Sequence, residues 1–406
     1  MNLFSHHISV VLSKNTIMRR PSFLFCISLF LLSCQNKKQS SENIPLEVST
    51  LNEDDSQFLV YDLEGVSSID TLSTTNIIKS FHLIPLETNE NSLVDMVLDI
   101  ESMNDYIIVK HGRNMLNFRI AVFGQDGKFI RNLYNIGRGP NEIAQTINSF
   151  CNQSTNEILI LGFDKILICN VETGNITHCR PYESTDGSVV VSKLAPLPDG
   201  SIACLNGVDN KGNKLHPFML FFDSNMELLK TYSDDKKRYV ERREGPVIIS
   251  ALTRSPYGAL YRDMLNDTVF SLSGKDLIKP AFVINIPEKQ KPLLSNDADR
   301  EKKKAKYYYQ DVFYPFESEN YIFDCFYYGN RVTNVIWRKG ISQPLYKLSD
   351  DRTGYWIKLD DLKLFIDFHS SMNNQIITSI PWFIASQIID GIQPDSNPVI
   401  LKINLK

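Results

Sequence analysis

Ala121-Val122-Phe123-Gly124-Gln125-Asp126-Gly127-Lys128-Phe129-Ile130 is the stretch that decides the fold. A short apolar run enters Gln-Asp-Gly-Lys, and a second apolar pair follows at once. Gly127 supplies the positive φ a tight hairpin needs, and Asp126 can hydrogen-bond backbone across the corner. The pattern reads strand, turn, strand. An upstream strand, Tyr106-Ile107-Ile108-Val109, precedes it. The same grammar returns at Met219-Leu220-Phe221-Phe222-Asp223-Ser224-Asn225-Met226-Glu227-Leu228-Leu229, preceded by Gly200-Ser201-Ile202-Ala203-Cys204.

Working outward, more short β-rich runs appear: Glu157-Ile158-Leu159-Ile160, Lys165-Ile166-Leu167-Ile168 and Thr268-Val269-Phe270-Ser271. Turn residues separate them at Glu172-Thr173-Gly174-Asn175, Pro198-Asp199-Gly200-Ser201 and Lys211-Gly212-Asn213. Helical periodicity is nearly absent from Val48 to Lys279. Strands recurring every ~8–12 residues mark an all-β chain. Four strands per ~40–50 residues is the repeat of a propeller blade, which closes radially and leaves only short edges. The alternation in Val399-Ile400-Leu401-Lys402-Ile403-Asn404-Leu405 predicts a last strand that closes the ring against an N-terminal blade. Pro287 to Gln310 breaks the pattern. It is charged and helix-prone, with Asn296 or Asp297 as cap and Lys302 to Lys306 suited to a helix C-terminus, and it predicts a helical insertion on a blade loop.

The N-terminal stretch says where the protein works. Met18-Arg19-Arg20 precedes an apolar run from Phe23 to Leu32, and Leu31-Leu32-Ser33-Cys34 follows. The run has the ~7–15-residue length of a signal segment and falls short of the ~20 residues that span a bilayer. A small residue before cysteine is the layout of a bacterial lipoprotein signal. Cys34 becomes the lipidated first residue of the mature chain, and Met18 is the expected start. Several acyl chains at ~0.8 kcal/mol per buried CH₂ anchor it permanently. This gives a signal peptide over 1–33, a flexible lipidated tether over 34–56, and a propeller over 57–406. Lys37-Lys38 after the cysteine point to the periplasmic face of the outer membrane, with the cell surface as the alternative.

Composition narrows the function. The chain has 406 residues, 43% hydrophobic, and a net charge of -4. That supports a large core and no basic field for nucleic acid. Beyond Cys26 and Cys34, the cysteines Cys151, Cys169, Cys179, Cys204 and Cys325 show neither CxxC nor zinc spacing. They read as small buried hydrophobes, with a Cys169–Cys179 bridge as the alternative.

Five segments carry a family resemblance: Ile84-Pro85-Leu86-Glu87-Thr88, then Val122-Phe123 to Asp126-Gly127-Lys128-Phe129-Ile130. Ile136-Gly137-Arg138-Gly139-Pro140-Asn141-Glu142, Leu265-Asn266-Asp267-Thr268-Val269-Phe270 and Asn397-Pro398-Val399-Ile400-Leu401 complete the set. In this order they resemble the six-bladed β-propeller lipoproteins of Gram-negative gut anaerobes. The resemblance implies six blades and the lipid anchor. It brings no established activity and no catalytic set.

Gly137, Arg138, Gly139, Pro140 and Glu142 form the candidate binding loop. The segment lacks the Lys-Ser/Thr ending of a phosphate loop. It reads as a blade-to-blade connection, with Glu142 free to pair with Arg138, or as a ligand contact near the channel mouth. The histidines His82, His111, His178, His216 and His369 are dispersed, although pairs such as His111 with Glu87 or His216 with Asp209 could meet across blades. No Gly-x-Ser-x-Gly elbow is present. Two readings compete. One is a non-catalytic module that binds a glycan, a peptide or an outer-membrane transporter. The other is a metal-dependent enzyme of lactonase or lyase type, with calcium as its cation. Three or more carboxylates or imidazoles converging in the channel would favour the enzyme.

Overall fold

Apolar runs buried on both faces set the architecture. In the computed structural model the described residues are 43–45, 59–113, 118–162, 165–181, 191–206, 219–233, 250–263, 268–285, 309–311, 316–328, 331–368, 370–372 and 374–406. They form six antiparallel blades. Blade 1 is Val97–Met103, Tyr106–His111, Arg119–Gly124 and Phe129–Asn132. Blade 2 is Thr146–Asn152, Glu157–Gly162, Lys165–Asn170 and Ile176–Pro181, and blade 3 is Val191–Pro196, Ile202–Asn206, Met219–Phe222 and Leu228–Ser233. Blade 4 is Ser250–Ser255, Gly258–Asp263, Thr268–Gly274 and Leu277–Asn285. In blade 5, Tyr309–Asp311 and Phe316–Glu317 both pair with Tyr321–Tyr328, followed by Arg331–Arg338 and Pro344–Asp350. Blade 6 is Ser370–Met372, Gln375–Ile380 and Val399–Leu405, and its outer strand is Ile78–Pro85 from the other end of the chain.

Period-two alternation glues each blade to both neighbours. Ile158 and Ile160 face blade 1, whereas Leu159 and Leu161 face blade 3. Six apolar clusters result, one per blade interface. Each fully buried Leu, Ile or Phe contributes about 1.5–3 kcal/mol. The C-terminal strand closes the ring inside blade 6, where Ile84 lies opposite Ile400 and Leu83 opposite Leu401.

The two ends of the ring differ. At one end, first and second strands join through 104–105, 153–156, 197–201 and 256–257, and third and fourth strands through 125–128, 171–175, 223–227, 275–276 and 339–343. At the other end 133–145 links blade 1 to blade 2. A one-turn helix, Trp382–Ala385, lies in the 381–398 connection of blade 6 at that same end. The predicted helical insertion falls outside the described residues up to 308, and Tyr309–Asp311 is strand.

The N-terminal part of the chain runs around the outside of the ring. Asn43–Pro45 adds in parallel to the outer strand of blade 3, and Val60–Asp62 adds in parallel to that of blade 4. Ile69 bridges Tyr346 of blade 5, and Leu72 bridges Ile357 of the hairpin Tyr355–Leu359 and Leu362–Ile366. The strap then becomes the outer strand of blade 6. Three residues of the stretch read as tether, 43–45, are thus strand. A ladder uses only backbone groups, so no apolar pattern announces it.

Cys151, Cys169, Cys204 and Cys325 are buried and Cys179 is exposed, all as free thiols. The Cys169–Cys179 bridge does not form. Cys179 sits opposite Leu167 and Cys169 opposite Ile176, across a shift in register.

Candidate functional site

Charged residues break the apolar pattern of the inner strands, and they meet at the centre of the ring. Asp99 and Glu101 lie two apart on the first strand of blade 1, so they share a face. Lys110 stands opposite Asp99 on the second strand. Its Nζ is 2.8 Å from Asp99 Oδ2 and 2.8 Å from Glu101 Oε1, and it donates to the Ser149 carbonyl of blade 2 at 2.8 Å. Arg254 reaches from blade 4, on the far side of the ring, to pair with Glu101. It donates to the Cys151 carbonyl at 3.0 Å and lies 5.5 Å from the Phe150 ring centre. The Cys151 N–H donates to Glu101 Oε2 at 3.2 Å. One carboxylate therefore ties blades 1, 2 and 4 together.

Side chains this buried keep charge only because each has a partner. Burial pushes the Glu101 carboxyl up, but Arg254 and Lys110 outweigh it and hold the group at about 2. Lys110 is opposed by burial and raised by Asp99 and Glu101. Lys193, on the first strand of blade 3, is pulled down to about 8 by burial, with Asp99 opposing and Lys110 adding to the fall. Among the described residues the centre brings together two carboxylates, two cations bound to them, and a lysine lowered to about 8.

The candidate loop lies between blades 1 and 2. Asn135–Ile136 pairs in parallel with Glu142–Ile143. Glu142 folds back so that Oε2 accepts the Gly139 N–H at 2.9 Å. A Cβ on Gly137 would lie 2.0 Å from that oxygen, so a larger residue there would displace the Glu142 carboxylate. Glu142 does not pair with Arg138, which is exposed. Lys165 Nζ donates to the Gly139 carbonyl at 2.7 Å, and Cys179 Sγ to the Pro140 carbonyl at 3.2 Å, so blade 2 clips the loop from beneath.

Three of the resembling segments converge on one junction between blades 6 and 1. Asn397 Nδ2 donates to the Glu87 and Ser92 carbonyls at 2.7 Å each, and its Oδ1 accepts the Val94 N–H at 2.9 Å. Glu87 in turn accepts the Phe129 N–H at 2.9 Å and donates its own N–H to the Gly127 carbonyl. Gly127 sits at φ +84, where a Cβ would approach the Pro85 carbonyl to 2.1 Å. These segments carry ring closure.

His111 and Glu87 do not meet: His111 Nδ1 accepts the Asp95 N–H at 3.1 Å, and its Nε2 is buried without a hydrogen-bond partner. Burial lowers the His111 pKa. His216, Asp209, His369 and Cys34 lie outside the described residues. Among the described residues no group of three or more His, Cys, Asp or Glu converges as metal ligands. No helix among them is long and apolar enough to cross a membrane.

The model of DUF4934, a domain of unknown function, matches residues 58–404. A crystal structure named "Putative exported protein", from Bacteroides fragilis, superposes with a TM-score of 0.64 at 15% identity, covering 86% of this chain and 100% of the other. A DUF4221 family member from Bacteroides vulgatus gives 0.49 at 11% identity over 82% and 98% of the two chains. The Cps50 β-propeller domain of Myceliophteria thermophila gives 0.37 at 9% identity over 79% and 100%. No curated protein matches the chain.

Proposed function

We propose, on the premise that this chain belongs to the family of the domain of unknown function DUF4934, that it is a non-catalytic binding module. It is held outside the cytoplasm by lipid on Cys34. The observation that carries the non-catalytic reading is the occupied channel. Asp99 and Glu101 are the carboxylates gathered there, and Lys110 and Arg254 already neutralise them. A calcium site for lactonase or lyase chemistry needs several free oxygen ligands in one place, and these two are spent on holding blades together. What remains for a partner is the end of the ring that carries 133–145 and 381–398, since loops at the ends of such scaffolds concentrate binding residues. The partner classes are a glycan, a peptide or an outer-membrane transporter. The exported description of the Bacteroides fragilis protein supports the location, and Lys37-Lys38 favour the periplasmic leaflet of the outer membrane.

Two measurements test this. Cys34→Ala is expected to move the protein from the membrane to the soluble fraction with loss of the acyl mass; retention at unchanged mass overturns the anchor. Purified protein is expected to bind a member of a glycan or peptide panel and to leave it chemically intact. Turnover of a lactone or uronate panel that rises with added calcium would establish the enzyme instead.

A further inference from the structure

The strap enters the ring at a defined place. Asn43 pairs with Thr231 and Pro45 with Ser233, in parallel. The chain therefore approaches from the start of that blade 3 strand, the side of Leu228, Leu229 and the short turn 223–227. Cys34 is nine residues upstream of Asn43, which at full extension spans about 30 Å. The acyl chains are therefore held within about 30 Å of Asn43.

That side is also apolar where it need not be. Leu228 and Leu229 of blade 3 are 40% and 42% exposed, and Leu277 of blade 4 is 49% exposed. Tyr257 of blade 4 is 55% exposed and Ile341 of blade 5 is 48% exposed. All stand at the short-turn ends of their blades. Two contacts link neighbours along this rim. Lys230 Nζ pairs with Asp276 at 2.5 Å, joining the Leu228–Leu229 edge to Leu277. Lys339 Nζ lies 5.3 Å from the Tyr257 ring centre, joining Tyr257 to the turn that bears Ile341. Val66, 85% exposed, follows Gly65, whose Cβ position abuts Gln343 of that turn and Pro344 just after it. The other end also exposes Leu93, Met96, Ile136 and Phe383, but the larger exposed apolar group stands on this rim, and such a group marks an interaction surface.

We infer that the short-turn end of blades 3 to 5 rests against the bilayer that holds the lipid anchor, and that the opposite end of the ring faces away from it. The inference rests on the anchor reading of Cys34. Leucine, isoleucine and tyrosine side chains that enter the interfacial region of the membrane gain burial there, and Tyr257 has the apolar body and polar tip that suit that depth.

The test uses the full lipidated protein in phosphatidylethanolamine–phosphatidylglycerol vesicles. In a Cys179→Ser background, an environment-sensitive label is placed by Leu277→Cys or Ile341→Cys, and by Leu93→Cys or Phe383→Cys at the other end. Intact mass reports the acyl chains independently. With the acyl mass present, the first pair is expected to shift to the blue and be quenched by brominated lipid, while the second pair stays aqueous. Equal spectra at both ends, or shielding of Leu93 and Phe383 instead, overturn the orientation while the anchor stands. An unacylated mass refutes the anchor and removes the surface's occupant with it.

Discussion

Blades 3 to 6 and blades 1 and 2 solve the problem of their outer edges in different ways. In blades 3, 4 and 6 the N-terminal part of the chain supplies an extra or final strand, and at blade 5 it makes a bridge. In blade 1 the edge is met by side chains: Glu87 accepts from Phe129, and Asn132 Nδ2 donates to the Asn91 carbonyl. Among the described residues blade 2 gains no strand, and its outer strand holds Cys179 against the candidate loop. The difference teaches that this ring is closed twice. A backbone strap binds one arc, and side-chain junctions bind the other. An unprotected edge invites pairing with foreign strands, so each device has a cost when lost.

The largest effect should come from removing the strap to its end. A chain beginning at Glu87 lacks Ile78–Pro85, and Val399–Leu405 loses the partner of its whole length. It is expected to be insoluble or to lose cooperative thermal unfolding by calorimetry. A folded, monomeric product would show that the strap is dispensable.

Next is the tie between the two arcs. Glu101 belongs to blade 1 and Arg254 to blade 4. Glu101→Ala leaves Arg254 and Lys110 short of a partner, and breaking a buried pair in this way costs about 3–5 kcal/mol. Urea titration measures it. The carboxyl is held at about 2 against an ordinary 4.5. Its contribution is therefore complete above 4.5 and drains away as pH falls toward 2. In Glu101→Gln the loss of stability across that window should be shallower than in the wild type. An unchanged slope would mean that other carboxylates set the acid limit.

The arcs also differ in how much their sequence discloses. Apolar runs and Gly-bearing turns show the blades, because burial on both faces leaves near-continuous apolar runs in the middle strands. The strap leaves no such run: Asn43–Pro45 attaches by a backbone ladder, and Val60–Asp62 buries one side chain, Tyr61, between the exposed Val60 and the half-buried Asp62. Asp99, Glu101, Lys110 and Arg254 are visible as charges within apolar runs, but nothing local says that residues more than a hundred positions apart share one carboxylate. The glycine-rich loop is visible too, but nothing local says that Glu142 folds back onto Gly139.

Asn397→Ala should act on the side-chain junction alone. It leaves the Ser92 carbonyl and the Val94 N–H without their Asn397 partner, while the Glu87 carbonyl keeps the Ser92 hydroxyl as donor, and each buried group left unsatisfied costs about 1–3 kcal/mol. The loss should exceed that of any single surface substitution, and hydrogen exchange should rise first in 86–96 and in Phe129–Asn132. If exchange rises equally in blades 3 and 4, the two closures are not separate.

The smallest effect separates fit from strain. Gly127, in blade 1, and Gly200, in blade 3, have nearly the same backbone, at φ +84 and +82. Both lose about 1–2 kcal/mol of ease when a Cβ is added at such an angle. A Cβ at 127 also strikes the Pro85 carbonyl, whereas one at 200 meets nothing within 4 Å. Gly200→Ala should therefore lower stability by the strain alone, and Gly127→Ala by clearly more, because it pushes apart the blade 6 and blade 1 junction that Glu87 completes. Equal losses would mean that the junction yields around a methyl group, and that the side-chain arc of the ring is looser than its hydrogen bonds suggest.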